Sequence, residues 1–369
     1  MTGKYTTPEI PPHTRKKHEL LQRYLSCWFP IVFSRAKRGI YVDSFSFSGR
    51  YSDGTPGSPL IALQTAIESK IKEDRIVDFF FSDSQLDNTV HLKSEIDALD
   101  KPKHLQVQIE NTNSSNCIAR ALAKLRRVQG EWCPTFVFID PYGYKDVRYD
   151  QIAEILKYNG TEAFVTFMVD RINQFLTFDN EKNQNHLREY FGTEEVFEVA
   201  KQSENRIHEL RLLYQRQLQK LAKHVQYFEM INKNGRTIYY LFFASNHALG
   251  NTKMKEAMWT VDRTGNFLFS DKTDPNTTFL FSPDDIAIDN LSELYLQHFD
   301  GMHDVSTDII FKFTNENTKY IERHGRLALI KLEAEQNIEV AEYKKDGSRR
   351  RKGSFPKGLS MNFKNIRRT

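Results

Sequence analysis

The sequence predicts an α/β fold: a mostly parallel sheet that ends in an antiparallel hairpin, followed by a smaller α+β unit. Three observations predict it. Short apolar runs rich in β-formers alternate with helical periodicities from Gly39 to Val169, the pattern of a parallel sheet with right-handed crossovers. Asn234-Gly235 stands between two apolar runs, 227–231 and 237–244, a strong short-range hairpin signal. After Ser282-Pro283 the pattern changes to three helical periodicities and then two short strands around a basic run.

Taken in order, residues 1–13 are polar and Pro-containing and read as a loose tail. From Thr14, the residues Leu20, Leu21, Tyr24, Leu25, Trp28 and Phe29 recur at helical spacing behind the basic cluster Arg15, Lys16, Lys17 and His18, and Pro30 is expected to close this helix. Residues 39–43 form the first strand and feed a loop, 44–51. Ser58 is a good N-cap with Pro59 at the first helical position, and Leu60, Ile61, Leu63, Ile67 and Ile71 make the buried stripe of the helix that follows.

A second buried strand, 76–81, ends in Ser82-Asp83, and a helix is expected around 89–98. A third strand, 104–109, runs into the polar stretch 110–116 and a helix over 118–128. The fourth strand, Phe136 to Ile139, is a continuous apolar run, as in a strand buried on both faces; it stops at Asp140-Pro141. Residues 152–156 read as helix and 163–169 as a fifth strand. The segment 173–224 turns helical and charged, with Ile207, Leu210, Tyr214, Leu218 and Leu221 on one face. After the hairpin, a helix is expected over 252–259, with Met254, Ala257 and Met258 as core.

The last third reads as helices at 291–299, 305–311 and 318–335, with strands 338–343 and 359–363 pairing around Arg349, Arg350, Arg351 and Lys352. Helix, helix, helix and a basic hairpin is the order of a winged helix, so the domain expectation is 14–283 for the sheet and 284–369 for a winged-helix-like unit. Charge supports a separate role for the end of the chain. Residues 343–369 carry ten Lys/Arg and one Asp, +9, so the rest carries 42 basic against 47 acidic residues, −5. That asymmetry points to an anionic partner, with nucleic-acid backbone weighed above a merely solvated loop.

The three cysteines, Cys27, Cys117 and Cys133, are widely spaced and cannot all pair, which suggests a reducing cytoplasm. No apolar stretch reaches membrane-spanning length and the start has no signal-type apolar core. The histidines show no metal-ligand spacing, so no metal is expected.

In open α/β sheets ligands sit beyond the carboxyl ends of the strands, and those ends carry the candidate site. A parallel sheet finished by an antiparallel hairpin is the architecture of Rossmann-like methyltransferases, an analogy of fold rather than of chemistry. In that setting Asp43 is placed to meet the amine of an adenosyl cofactor, Asp83 to accept hydrogen bonds from ribose hydroxyls, and Phe45, Gly49 and Tyr51 to border the cofactor loop. For Asp43 and Asp83 the alternative is a helix cap. Asp140-Pro141-Tyr142 resembles the Asp-Pro-Pro-aromatic motif of amino-group methyltransferases, in which carboxylate and proline carbonyl accept from an exocyclic amine while the ring stacks on a flipped base. This chain has one proline where that motif has two. Asp170-Arg171-Ile172-Asn173, at the end of the fifth strand, could line the same crevice, or cap and pair at the surface.

With these residues the chain resembles the three-Cys-motif partner (TcmP) family of bacteria and mobile elements. The resemblance is carried by Lys17-His18-Glu19-Leu20-Leu21 with Tyr24 and Trp28, Tyr41-Val42-Asp43, Gly49-Arg50-Tyr51, the run from Gly57 to Leu63, the run from Phe138 to Tyr144, Phe167-Met168 with Asp170, Ile172 and Asn173, and the run from Met254 to Trp259. The family is similar to Rossmann-type S-adenosylmethionine-dependent methyltransferases and is named for a genomic partner with a three-cysteine motif of radical-SAM type. Membership implies S-adenosylmethionine as cofactor, the three-Cys-motif protein as partner, and Asn116 as an adenine contact. Where the family pattern is Phe-Ala-Gly-Pro-Gly, this chain has Phe45-Ser46-Phe47-Ser48-Gly49.

Two functions therefore stand as expectations. One is a cytoplasmic S-adenosylmethionine-dependent methyltransferase acting on nucleic acid, DNA or RNA, with Asp140, Pro141 and Tyr142 at the target. The other is a catalytically degenerate fold that serves as a nucleic-acid-binding or scaffolding subunit. A magnesium-dependent nuclease ranks last, because no paired carboxylates stand at convincing spacing.

Overall fold

A computed structural model of the chain describes residues 8–128, 132–177, 180–201, 205–272 and 282–365. The chain begins with α1 (Pro12–Phe33), β1 (Arg38–Asp43), α2 (Ser58–Glu68), β2 (Ile76–Asp83), α3 (Leu86–Asp97) and β3 (Leu105–Asn111). It continues through α4 (Ser114–Arg127), β4 (Thr135–Ile139), α5 (Tyr149–Leu156) and β5 (Thr161–Phe167). The charged segment is helical as expected: α6 (Val169–Phe175), α7 (Glu181–Phe191), α8 (Glu195–Lys201) and α9 (Arg206–Gln219). Then come the hairpin β6 (His224–Ile231) and β7 (Thr237–Ser245), α10 (Ala248–Val261) and the short β8 (Leu268–Ser270).

These elements build one eight-stranded sheet in the order β3-β2-β1-β4-β5-β7-β6-β8. Strands β1 to β5 run parallel, β7 is antiparallel to β5, and β6 is antiparallel to β7. This is the Rossmann-like, methyltransferase-type sheet the sequence predicts. Strand order reverses between β1 and β4, the topological switch where open sheets bind ligands.

Alternation sends successive side chains to opposite faces, so each strand serves two layers. Val42, Val137, Ile139 and Val165 pack with α4, α5, α7 and α9. Tyr41, Phe79, Phe136 and Phe164 point the other way, where Tyr24, Trp28 and Phe29 of α1 meet them at ring-centroid distances of 5.4 Å (Tyr24–Phe136), 6.0 Å (Trp28–Phe136) and 6.2 Å (Phe29–Phe79).

The chain divides into two compact units, 1–257 with 268–273, and 258–267 with 274–369. The second contains α11 (Pro283–His298), β9 (Val305–Ser306), α12 (Thr307–Asn317), α13 (Glu322–Ala334), β10 (Ile338–Val340) and β11 (Ser360–Phe363). Its three strands form a sheet in the order β10-β11-β9, antiparallel throughout. The core gathers Leu291, Tyr295, Ile310, Ala328, Leu329 and Leu332, all below one per cent exposed.

Several boundaries differ from expectation. α1 starts at Pro12, inside the expected tail, whose residues 1–7 lie outside the described residues. Pro30 does not close α1 but lies within its last turn. Its missing N–H deprives only the Ser26 carbonyl, and Ser26 is exposed to water. β5 stops at Phe167, where its ladder with Tyr240 ends, so the 170–173 stretch is not a strand end but the body of α6, with Asp170 in the favoured first turn. Val305 and Ser306 pair with Met361 and Ser360 instead of opening a helix, and the Ser306 hydroxyl caps α12 by accepting from the Ile309 amide. The helix expected over 318–335 begins only at Glu322, because Thr318 is extended. In the expected turn at 271–276, residues 273–276 lie outside the described residues. Among the described residues no helix is long and apolar enough to cross a membrane.

Candidate functional site

A cavity of about 860 Å³ opens beyond the carboxyl ends of β1 to β4. Its first wall is the loop after β1. Four buried serines fix that loop: the Ser46 hydroxyl donates to the Asp43 carbonyl (2.7 Å), its amide donates to the Ser82 carbonyl (2.8 Å), and the Ser114 hydroxyl donates to that of Ser44 (2.8 Å). Gly49 has φ +82°, a left-handed backbone that favours glycine. Phe47 adopts φ +51° without being glycine. Its amide donates to Asp83 Oδ2 at 3.1 Å, which holds the strained residue in place, and it lines the cavity.

Asp83, at the tip of β2, ties the site together. Its Oδ1 accepts from the Gln85 amide and the Asn88 side chain, both at 2.9 Å, while Oδ2 takes the Phe47 amide. It thus acts as a loop clamp, yet it still faces the cavity with acceptor capacity left on Oδ2. Ser44, Asn88, Thr112, Asn113 and Ser114 add hydroxyls and amides around it.

The expected cofactor residues separate into two groups. Phe45 and Asp83 line the cavity; Asp43, Gly49, Tyr51 and Asn116 do not. Asp43 is fully buried below the loop, where its Oδ1 accepts from the Phe45 amide at 3.2 Å. Burial pushes its carboxyl up to about 7, against the Ser58 hydroxyl, which favours the charged form. Asn116 turns its amide back to the Thr112 hydroxyl at 3.0 Å.

The triplet after β4 is also divided. Pro141 and Tyr142 line the cavity, and Tyr142 is 77% exposed. Asp140 does not: it faces α1, where Lys17 Nζ lies 2.5 Å from Oδ2, and the Thr166 hydroxyl donates to Oδ1 at 2.5 Å. Both oxygens are engaged within the protein. Lys17 is 7% exposed and also sits 5.3 Å from the Tyr239 ring centroid. Its neighbour His18 is buried too, and burial together with the Lys17 charge pushes its imidazole down to about 3, so it is neutral.

A signal for Lys17 was present in the sequence. It precedes Leu20, Leu21 and Tyr24 by three, four and seven positions, which places it on the apolar stripe of α1. Thr166, and Lys182 and His186 of α7, gave no such signal. With Lys145 and Arg171 these last two line the opposite wall. Lys145, Arg171 and Lys182 are exposed and form no ion pair among the described residues. Among the described residues no group of three or more His, Cys, Asp or Glu is placed to hold a metal ion.

In the second unit the basic run is not uniform. Arg350 does not present its charge to solvent: its guanidinium pairs with Glu333, donates to the Ala341 carbonyl (3.1 Å) and the Ser354 carbonyl (3.3 Å), and is 6% exposed. Arg350 holds the Glu333 carboxyl below its usual range despite opposing burial. Arg349, Arg351 and Lys352 are exposed. Arg323, Arg326 and Lys331 of α13 are paired with Asp284, Glu322 and Asp289 respectively.

No family model and no curated protein matches the sequence. Among solved structures, protein LPL1258 of Legionella pneumophila str. Philadelphia 1, a DUF519 protein, is similar at 13% identity over 70% of this chain and 92% of its own, with a TM-score of 0.41. The O-methyltransferase TomG of Streptomyces achromogenes, in complex with SAM, is similar at 11% identity over 61% of this chain and 79% of its own, TM-score 0.33. Human methyltransferase-like protein 13, in complex with SAH, is similar at 8% identity over 74% of this chain and 99% of its own, TM-score 0.35.

Proposed function

We propose that the chain is an S-adenosylmethionine-dependent methyltransferase acting on nucleic acid. The observation that carries this reading is the cavity of about 860 Å³ at the switch point, with Asp83 at its edge and a hydroxyl- and amide-rich wall beside it. The size suits a nucleoside-type cofactor. Asp83 Oδ2 would accept from ribose hydroxyls, Thr112, Asn113 and Ser114 would meet polar edges of a base, and Phe45 offers an apolar surface. The bound cofactor supplies an electrophilic methyl group.

On the acceptor side, the exposed Tyr142 ring offers a stacking face and the Pro141 carbonyl an acceptor for an amine. Asp140, held by Lys17 and Thr166, acts as a positioning residue that fixes the Pro141-Tyr142 turn. Lys145, Arg171 and Lys182 favour an anionic acceptor, which a nucleic acid is. The second unit supports the same reading. Its order α11-β9-α12-α13-β10-β11 and sheet order β10-β11-β9 fit a winged helix, with Arg349, Arg351 and Lys352 on the wing for phosphate contact.

Calorimetric titration with S-adenosylmethionine and S-adenosylhomocysteine tests the cofactor site. Micromolar binding that Asp83→Ala weakens at least about tenfold supports it. A second reading is favoured by Phe47, whose side chain stands in the cavity where the family pattern has glycine: a degenerate fold that binds nucleic acid or the three-Cys-motif protein as a scaffold. Affinity for either, with no cofactor affinity, would decide for it.

A further inference from the structure

A second cavity, of about 470 Å³, lies at the opposite end of the sheet, below the amino ends of β4 and β5. Its walls are apolar and aromatic: Tyr24, Trp28 and Ile31 of α1, with Trp132, Pro134 and Leu249. Trp132 is 38% exposed and lies over Gly160, where a Cβ would approach its Nε1 to 2.5 Å. At the inner end is Glu162 of β5, 4% exposed.

Glu162 is unusual in what surrounds it. The Tyr24 hydroxyl donates to Oε2 at 2.6 Å, the Ser245 hydroxyl donates to Oε1 at 2.9 Å, and the Trp28 side chain adds a third donor. α10 can close over the carboxylate only because residue 250 is glycine, since a Cβ there would overlap Oε1. Three neutral donors prepare the group as an anion, but no cation compensates it: among the described residues Glu162 forms no ion pair. The one lysine at this cavity, Lys253, is taken by Glu256 at 2.7 Å, and Arg35 is exposed. A buried carboxylate without a counter-charge is unfavourable, and burial pushes its carboxyl up to about 7. Aromatic faces around an anionic floor are the arrangement that attracts organic cations.

We propose that this cavity binds a small organic ammonium ion, its charged nitrogen against Glu162 and its apolar body between Trp28 and Trp132. The site is separate from the one at the switch point, and the proposal does not depend on methyl transfer.

Titration of the full chain with benzylammonium, followed by calorimetry and tryptophan fluorescence, tests it, with benzyl alcohol as the neutral counterpart of the same shape. Benzylammonium is expected to bind at least about tenfold more tightly than benzyl alcohol, and Glu162→Gln to erase that difference while leaving the alcohol unchanged. Trp132→Ala, at a half-exposed position, should weaken both ligands, and it keeps the test decisive if Glu162→Gln does not fold. Equal binding of alcohol and ammonium, retention of the preference in Glu162→Gln, or no saturable benzylammonium binding up to about 10 mM would each overturn the proposal.

Discussion

Lys17 and Asp140 stand 123 positions apart in the chain and 2.5 Å apart in space, Nζ to Oδ2, with side chains only 7% and 17% exposed. The pair joins the first helix to the turn that carries Pro141 and Tyr142. Among the described residues neither charge forms another ion pair, and the second Asp140 oxygen accepts from the neutral Thr166 hydroxyl.

Removing one member leaves the other as an uncompensated buried charge. Lys17→Met is expected to lower unfolding free energy by about 3 kcal/mol or more, and Lys17→Met combined with Asp140→Asn to recover a substantial part of it. Urea titration of the two single variants and the double variant measures the coupling; additive losses would mean that the pair contributes little.

Arg350 and its neighbours should respond differently to the same substitution. Arg350→Ala breaks the buried pair with Glu333 and is expected to cost about 3 kcal/mol in stability. Arg351→Ala and Lys352→Ala, at exposed positions, are expected to stay within about 0.5 kcal/mol of wild type. If the wing contacts phosphate, each of these two also reduces the slope of log affinity against log salt by about one for a duplex ligand, read by fluorescence anisotropy at several salt concentrations.

The buried titratable groups give stability a defined pH dependence. Asp43 and Glu162, both pushed up to about 7 by burial, keep protons in the folded chain that the unfolded chain releases near pH 4. Folding therefore takes up protons between about pH 4 and 7, and stability falls as pH rises through that window. His18, pushed down to about 3 by burial, opposes this: it is neutral when folded and protonated when unfolded, so it adds stability as pH rises from about 3 to 6.5. Glu162→Gln should remove about 2 kcal/mol of the decline between pH 5 and 7, and His18→Asn should steepen the decline below pH 6.5. Denaturant midpoints at pH 5, 6 and 7 check both signs.

Phe47→Gly relieves a left-handed backbone, worth about 1 kcal/mol, and takes a ring out of the cavity at the switch point. Its ring lies 6.0 Å from that of Tyr51 and is only half-buried, so little packing is lost. S-adenosylmethionine affinity is expected to rise in this variant, measured by calorimetry; an unchanged or lower affinity would show that the Phe47 side chain forms part of the binding surface.

The periodic features of this fold were readable from sequence. Buried strands such as Phe136 to Ile139 and the Asn234-Gly235 hairpin are local signals, and the structure reproduces them. The helix at Ser58-Pro59 is also present, but its N-cap is Gly57; Ser58 is already inside the helix and its hydroxyl is turned to Asp43. Boundaries failed where pairing overrode local pattern, as at Val305, drawn into a strand by Met361, and at Asp170, left to a helix when the β5 ladder ran out. The site was legible only in part. Phe45, Asp83, Pro141 and Tyr142 follow from strand ends, whereas the engagement of Asp140 depends on Lys17 and Thr166, whose approach is set by packing rather than by spacing. Glu162 gave no signal at all: within the run Thr161–Phe167 it is a single charged-type residue in a strand, and only the arrival of Tyr24 and Ser245 surrounds its buried carboxyl with donors.

α1 is synthesised before every strand it covers, and the last of them emerges much later. The Tyr24 ring packs 5.1 Å from that of Phe243, and Lys17 pairs with Asp140, which Thr166 also holds. During translation, at about 5–20 residues per second, this helix waits on the order of ten seconds or more before β7 leaves the ribosome. For that interval its apolar face has only the part of its native cover that β1 to β5 supply. The nascent chain is therefore expected to offer chaperones an amphipathic N-terminal helix, and truncations ending before Thr237 should be retained by them rather than released as stable fragments.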